Sequence, residues 1–173
     1  GTNAVRPLSL YSQFSGDFTL VTAGTPALAV YEPQKVNGAI IQNGNVRFFT
    51  QNALRGNVVV KGSAVVDQNN GTTFDPSTDL TLEEDAVWNG DAQTLEGALT
   101  VNGARVNLDF EDNVKLLGGF AFNGGVWRTG DRGFNNGGPR ILSDFSYAAS
   151  STEQAVFDEY NAGGSEGARI ILT

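Results

Sequence analysis

The stretch LTVNGARVNLDF, from Leu99 to Phe110, places two alternating runs on either side of Asn102-Gly103. Asn-Gly favours a tight type I′ turn, because both central residues of that turn need a positive φ angle. In RVNLDF, apolar and polar residues alternate, as they do along a strand with one buried face. The stretch therefore predicts a β-hairpin.

The same pattern of short strand-like runs separated by turn residues recurs along the chain. Asn43-Gly44, Lys61-Gly62 and Asn123-Gly124 each separate β-branched or aromatic runs, and the chain contains 22 glycines. Many short strands with frequent turns predict an all-β, antiparallel domain, either a sandwich, a jelly roll or a barrel.

A β-solenoid is the alternative fold. Its support is the Asn/Gly content and the similarity between AVWNGD at 86–91 and GVWRTGD at 125–131. A solenoid is expected to show a fixed repeat of about 20 to 50 residues, and no fixed repeat is evident in this sequence. The sandwich, jelly-roll or barrel class is therefore the primary expectation.

One short C-terminal helix is predicted over 151–164. Ser151 offers an N-cap, and an acid and an amide follow at positions 153 and 154. Val156, Phe157 and Tyr160 would form its apolar face. The rest of the chain, 14–173, is expected to form a single domain, while residues 1–13 are interpreted as an N-terminal arm or a frayed terminus.

The composition excludes several kinds of chemistry. The chain contains no cysteine and no histidine, so thiolate sites, histidine metal ligands and a histidine-dependent serine triad are excluded. A net charge of −8 argues against a nucleic-acid partner, because phosphates require a basic surface. No apolar run approaches the roughly 20 residues that span a bilayer, so no transmembrane segment is expected.

The loop DQNNGTTFDPSTD, residues 67–79, is the candidate for a calcium site. Oxygen ligands would come from Asp67, Asn69, Asp75 and Asp79, and the ion would be structural. Glycine stands where an EF-hand has a ligand, and Thr78 stands where it has glutamate, so a solvated loop is the favoured alternative. Asn70-Gly71-Thr72 matches the N-glycosylation pattern at Asn70.

Two carbohydrate-related sites are also candidates. Trp127, Arg128 and Asp131 combine an aromatic ring with polar groups beside a glycine-rich loop, which is typical of a sugar site. The alternative for Trp127 is a core position. The acidic clusters at 83–85 and 109–112 could supply the two carboxylates of a glycoside hydrolase.

The sequence thus supports one primary functional hypothesis and two alternatives. The primary hypothesis is a non-enzymatic structural protein of an extracellular, cell-surface or virion assembly: a capsid decoration, fibre or filament subunit. It would act through self-association or by binding a larger protein scaffold. The first alternative is a carbohydrate-binding or lectin-like module that recognises surface glycans, and the second is a glycoside hydrolase.

Overall fold

A computed structural model describes most of the first 129 residues and short segments beyond them. The described residues are 8–23, 28–68, 73–90, 93–108, 114–129, 140–141, 145–147, 155–159 and 171–172. They contain β-strands and turns, and no helix. The expectation of an all-β protein is confirmed for this part of the chain.

The described residues form 19 strands that belong to three parallel sheets. The strands are β1 Leu8–Leu10, β2 Ser15–Ala23, β3 Leu28–Val30, β4 Lys35–Gln42, β5 Asn45–Phe48, β6 Asn57–Lys61, β7 Val65–Gln68, β8 Asp79–Glu83, β9 Val87–Gly90, β10 Gln93–Leu95, β11 Leu99–Asn102, β12 Arg105–Leu108, β13 Val114–Leu116, β14 Phe120–Phe122, β15 Gly125–Thr129, β16 Arg140–Ile141, β17 Phe145–Tyr147, β18 Ala155–Glu159 and β19 Ile171–Leu172.

The chain winds through these sheets as a parallel β-solenoid. Sheet I has the order β1-β3-β5-β7-β9-β12-β15-β18, sheet II has the order β17-β14-β11-β8-β6-β4-β2, and sheet III has the order β10-β13-β16-β19. Each strand pairs in parallel with the strand one coil further along the chain. The expected sandwich, jelly roll or barrel is therefore wrong, and the alternative, a β-solenoid, is correct.

The Asn-Gly pairs form solenoid corners and not hairpins. Asn102-Gly103 joins β11 of sheet II to β12 of sheet I, and these strands do not pair with each other. In sheet II, the described corners after β4, β6, β8, β11 and β14 each contain a residue with positive φ. These residues are Asn43, Gly62, Glu84, Gly103 and Gly124. Positive φ is needed at both kinds of turn, so the Asn-Gly signal identified the turn but not the partner of the strand that follows it.

The repeat escaped detection because its length varies. Equivalent side chains on neighbouring coils are 22 residues apart for Asp67 and Asn89, but 18 apart for Asn89 and Asn107. The similarity between AVWNGD and GVWRTGD does reflect the repeat, because Trp88 and Trp127 both pair with Val106 in the register of sheet I.

The core consists of side chains that stack from coil to coil inside the solenoid. In sheet I, Val46, Val66, Trp88 and Val106 occupy one column of the register, and all four are buried. Burial of each such side chain contributes about 1.5–3 kcal/mol. The indole Nε1 of Trp88 donates a hydrogen bond to Thr73 Oγ1 at 3.2 Å, so its polar atom is satisfied.

Two buried glutamines form hydrogen bonds with the backbone of the preceding coil. Gln93 Nε2 donates to the carbonyl oxygen of Phe74 at 2.9 Å, and Gln93 Oε1 accepts from the Phe74 amide at 3.0 Å. Gln34 has the same role at the first corner, where it contacts the backbone of Ser12 and Phe14. These amides bind adjacent coils together because they replace backbone partners with side-chain partners.

The predicted C-terminal helix is wrong where the structure describes it. Residues 155–159 form strand β18, which pairs in parallel with β15. Val156 and Phe157 are residue types that favour strands. A helix of under four turns is only marginally stable by itself, whereas a strand at this position gains backbone hydrogen bonds with β15. Among the described residues, no helix is long and apolar enough to cross a membrane.

The described part of the segment interpreted as an N-terminal arm, residues 8–13, lies within the first described coil. Leu8–Leu10 form β1 and pair with β3, and Tyr31 donates its backbone N–H to the carbonyl oxygen of Leu10 at 2.9 Å. Residues 1–7 lie outside the described residues.

Candidate functional site

The outer face of sheet I carries a column of polar side chains from four consecutive coils. Arg47, Asp67, Asn89 and Asn107 are consecutive partners in the register of β5, β7, β9 and β12. Their neighbours in sequence, such as Val66 and Trp88, point into the core. Since side chains alternate along a strand, these four residues lie on the outside. We name this column the polar ladder.

Hydrogen bonds connect the polar ladder in a single direction. Asn107 Nδ2 donates to Asn89 Oδ1 at 2.8 Å, and Asn89 Nδ2 donates to Asp67 Oδ1 at 2.6 Å. The other carboxylate oxygen of Asp67 lies 3.8 Å from Arg47 Nη2. Each amide thus donates toward the N-terminal end, and the Asp67 carboxylate accepts a hydrogen bond from Asn89 and forms an ion pair with Arg47.

The ladder retains polar atoms that do not bond within it. Asn107 Oδ1 is buried and has no hydrogen-bond partner among the described residues. The register continues from Asn107 to Arg128 and then to Asp158. At the other end, the side chain of Arg47 is 55% exposed, whereas that of Asp67 is 19% exposed, so the guanidinium is open to a ligand.

A stack of aromatic rings lies beside the ladder in the N-terminal coils. The rings of Tyr11 and Tyr31 are 4.4 Å apart and those of Tyr31 and Phe49 are 4.8 Å apart, with interplanar angles of 11° and 7°. Phe49 follows Arg47 by two positions and therefore lies on the same side of the chain. Because Tyr31 lies between the other two rings, both of its faces are covered, whereas Tyr11 and Phe49 each have one face outside the stack.

The stack also perturbs an ionisable group. Desolvation by the neighbouring rings raises the pKa of the Tyr31 hydroxyl, and a hydrogen bond with Tyr11 and the Tyr11 charge raise it further. Tyr31 contributes an apolar ring and a polar hydroxyl to this surface.

The register assigns two residues of the predicted sugar site to adjacent columns of sheet I. Arg128 occupies the column of the polar ladder, next to Asn107. Trp127 pairs with Val106 and thus occupies the column that contains the buried Trp88. Asp131 lies outside the described residues, so the sugar site as a set of three remains a prediction.

The carboxylates of the predicted calcium site have separate partners. Asp67 belongs to β7 of sheet I, whereas Asp79 begins β8 of sheet II and accepts a hydrogen bond from the Ala98 amide at 2.8 Å. Asp75 Oδ1 accepts hydrogen bonds from the Ser77 amide at 3.0 Å and the Ser77 hydroxyl at 2.6 Å, which is a local turn interaction. Asn69 and Asn70 lie outside the described residues.

The acidic clusters are described only in part. Glu83 ends β8, while Glu84 and Asp85 form the corner that follows it, and residues 109–113 lie outside the described part. In the described portion of the chain, no three acidic side chains form a group that could hold a metal ion. The calcium, glycosylation and hydrolase hypotheses remain predictions.

The sequence contains signals for the two features that were missed. In sheet I, an apolar residue is followed by a polar one in every coil from the third onward: the pairs begin at Val46, Val66, Trp88, Val106, Trp127 and Phe157. The aromatic stack likewise follows short apolar strands in LSLY, LAVY and VRFF. Both patterns become visible only when the coils are aligned.

Comparisons with known proteins identify no relative of this chain. No protein-family profile, curated protein sequence or solved structure matches the chain.

Proposed function

We propose that this protein is a non-enzymatic, extracellular carbohydrate-binding module whose polar ladder binds an extended polysaccharide. The observation that carries the proposal is the column of Arg47, Asp67, Asn89 and Asn107 on the outer face of sheet I, which two hydrogen bonds and one ion pair connect. Side chains of these types hydrogen-bond to hydroxyl groups as donors and acceptors, and the ladder repeats them along a straight line.

The spacing of the ladder favours an extended polymer over a small molecule. Neighbouring strands of a sheet lie about 4.8 Å apart, so the column from Arg47 to Asn107 spans roughly 14 Å. A compact ligand would contact one or two of these side chains, while a linear chain along the solenoid axis would contact all of them. Affinity should therefore increase with oligosaccharide length until the ladder is covered.

The charge of the protein favours an uncharged polysaccharide. The net charge is −8, which repels polyanions at long range. Within the ladder itself, the positive charge of Arg47 and the negative charge of Asp67 cancel, and the two asparagines are neutral. A neutral glycan loses little by leaving water at such a surface, because its hydroxyl groups gain new partners there.

The arrangement assigns different roles to the ladder residues. The side chain of Arg47 is more exposed than that of its partner Asp67, and its guanidinium would donate hydrogen bonds to ligand hydroxyls. Asp67 holds Arg47 and Asn89 in place. Asn89 and Asn107 offer the amide protons that they do not use within the ladder. Arg128 extends the same column by its register.

The test is a binding screen of the purified chain against soluble neutral, anionic and cationic polysaccharides by affinity electrophoresis. Arg47→Ala removes the most exposed ladder group and a surface ion pair worth about 1 kcal/mol or less, so folding should be retained. Lys35→Ala is the matched control, since it removes an exposed cation from sheet II. Retardation by a neutral polysaccharide that Arg47→Ala weakens and Lys35→Ala preserves would support the proposal. Absence of retardation by every neutral polymer would refute it.

A structural role in an extracellular or virion assembly is the second candidate function. The specific observation that favours it is the pair of aromatic side chains between β1 and β2, since Tyr11 and Phe14 are 67% and 44% exposed. Exposed aromatic rings are a feature of protein–protein contacts.

A further inference from the structure

A second column of side chains runs beside the polar ladder on the outer face of sheet I. Asn45, Val65, Val87 and Arg105 are consecutive partners in the register of β5, β7, β9 and β12. Each of them precedes a ladder residue by two positions and therefore lies on the same face of the sheet. We name this second column the flanking column.

The middle of the flanking column is apolar, and its two ends are polar. Val65 and Val87 are partners in the register and are partly exposed, so they form an apolar patch two coils long. Asn45 and Arg105, which are exposed, follow the patch at either end. The two columns lie about 6.6 Å apart along the strands, and neither has a register shift across these four coils. The face thus sets an apolar patch beside a line of hydrogen-bonding groups.

The ladder keeps hydrogen-bonding capacity beside this patch. Asn89 Nδ2 donates one of its two protons to Asp67, and Asn89 Oδ1 accepts one hydrogen bond from Asn107. A second proton and a second lone pair of Asn89 remain for a ligand. A sugar hydroxyl both donates and accepts hydrogen bonds, so Asn89 can satisfy such a group next to Val87.

We propose that the glycan bound at the polar ladder is a neutral chain of pyranose rings joined through equatorial positions, as in a linear β-glucan. Such a ring has C–H groups on its faces and hydroxyl groups around its edge. Its face would cover Val65 and Val87, while hydroxyl groups at its edge would bond to the ladder. This inference rests on the carbohydrate-binding function proposed above and names the ligand class of that site.

The repeat of the solenoid favours equatorial linkages over axial ones. Neighbouring strands lie about 4.8 Å apart, and equatorial linkages extend a chain by close to this distance per ring, so successive rings meet successive coils. An axial linkage, as in an α-glucan, turns each ring relative to the one before it and bends the chain into a helix. A helical chain would leave the face after one or two coils, and the rest of the ladder would stay uncovered.

The experiment is isothermal titration calorimetry of the full 173-residue chain with cellohexaose and maltohexaose. The two ligands contain the same glucose units, which are linked equatorially in cellohexaose and axially in maltohexaose. We expect cellohexaose to bind at least about tenfold more tightly, because the helical ligand loses the hydrogen bonds of at least two coils. Equal affinities, or tighter binding of maltohexaose, would overturn the inference and leave the proposed function standing.

The absence of binding also separates the two proposals. If neither hexasaccharide binds but another neutral polysaccharide retards the protein in affinity electrophoresis, the inference about linkage is wrong and carbohydrate binding stands. If no neutral glycan binds, both are wrong.

Two valine variants test the apolar patch. Val65→Ala and Val87→Ala remove methyl groups without changing charge or hydrogen bonding, and each should raise the dissociation constant for cellohexaose about fourfold, the factor that one buried methylene group contributes. Val59→Ala is the matched control, because Val59 is a partly exposed strand valine on sheet II. Unchanged cellohexaose affinity in both patch variants, with melting like that of Val59→Ala, would contradict the patch. If a patch variant fails to fold, the two hexasaccharides compared on the wild type still decide the inference.

Discussion

Asn89 Nδ2 lies 2.6 Å from Asp67 Oδ1, and this short hydrogen bond joins two coils of the solenoid. The two residues are partners in the register of sheet I, so a side-chain hydrogen bond joins the same two strands that the backbone hydrogen bonds join. A hydrogen bond to a charged acceptor contributes about 1.5–3 kcal/mol, more than one between neutral groups. The ladder therefore has a structural role as well as the proposed role in binding.

Replacing Asn89 with aspartate is expected to destabilise the protein in a pH-dependent way. The substitution puts a carboxylate oxygen opposite Asp67 Oδ1, and two adjacent carboxylates cannot both ionise without cost, so one pKa is raised. Relative to wild type, Asn89→Asp should lower the free energy of unfolding by about 1–3 kcal/mol at pH 7. Most of this loss should be regained by about pH 4, because the raised pKa lets the pair hold a proton above that pH.

Urea unfolding at several pH values measures this effect. Asn43→Asp is the control, because Asn43 uses its Oδ1 to accept hydrogen bonds from the backbone N–H and hydroxyl of Ser63, which aspartate also accepts. An equal, pH-independent loss in both variants would show that the donor from Asn89 to Asp67 is unimportant.

Replacing Gln93 with leucine is expected to be strongly destabilising. Gln93 is the side-chain partner of both the N–H and the C=O of Phe74, and Phe74 is fully buried. Each buried polar group left without a partner costs about 1–3 kcal/mol, so Gln93→Leu should lower the free energy of unfolding by about 3 kcal/mol. Chemical denaturation measures the free energy of unfolding of Gln93→Leu and of the control Gln42→Leu, which changes an exposed position on sheet II. A similar small change in both variants would contradict the bridging role of Gln93.

Replacing Glu84 with glycine is expected to stabilise the protein. Glu84 has a φ of 58°, at a corner where three of the other four coils have glycine. A residue other than glycine in the left-handed backbone conformation costs about 1–2 kcal/mol. Glycine avoids this strain but loses more backbone entropy on folding, so we expect the free energy of unfolding to rise by about 0.5–1 kcal/mol. Asp85→Gly, at the adjacent exposed position, should be destabilising. Calorimetric Tm values should rise for Glu84→Gly, and a fall would contradict the corner geometry.

The stability of the aromatic stack is expected to fall at alkaline pH. The folded-state pKa of Tyr31 is raised, chiefly by desolvation, so the neutral hydroxyl is favoured in the folded protein. This contribution is fully present below the ordinary tyrosine pKa of about 10 and is lost as the pH rises through the folded-state value. Thermal melting from about pH 9 to about pH 12 should show a steeper decline for wild type than for Tyr31→Phe. Identical slopes would exclude Tyr31 as the source.

The sequence indicated the strands and corners but not the partners of the strands. Asn102-Gly103 marks a turn correctly, yet a left-handed residue serves a hairpin and a solenoid corner equally well. What separates the two is whether a strand pairs with its neighbour in sequence or with a strand about 20 residues away. The spacing of 22 and then 18 residues between Asp67, Asn89 and Asn107 concealed that period.

The candidate site was predicted in fragments. Asp67 and Arg128 were selected from the sequence for unrelated reasons, as a calcium ligand and a sugar ligand, but the register assigns both to one column. Asn89 and Asn107 drew no attention, because a single asparagine in a strand carries no signal. Their importance depends on the coils that lie above and below them, and this is information that only the register supplies.

The most direct test of carbohydrate binding by the polar ladder is the NMR response of asparagine side-chain amides to a neutral polysaccharide. The account predicts saturable chemical-shift changes for the side-chain amide protons of Asn89 and Asn107, which lie on sheet I. These changes should become larger as the polysaccharide becomes longer. The amide of Asn123 on sheet II, which bonds to Asn102 at 3.0 Å, should not respond. Shifts confined to Asn123, or no saturable shift of Asn89 and Asn107 with any neutral polymer, would contradict the account.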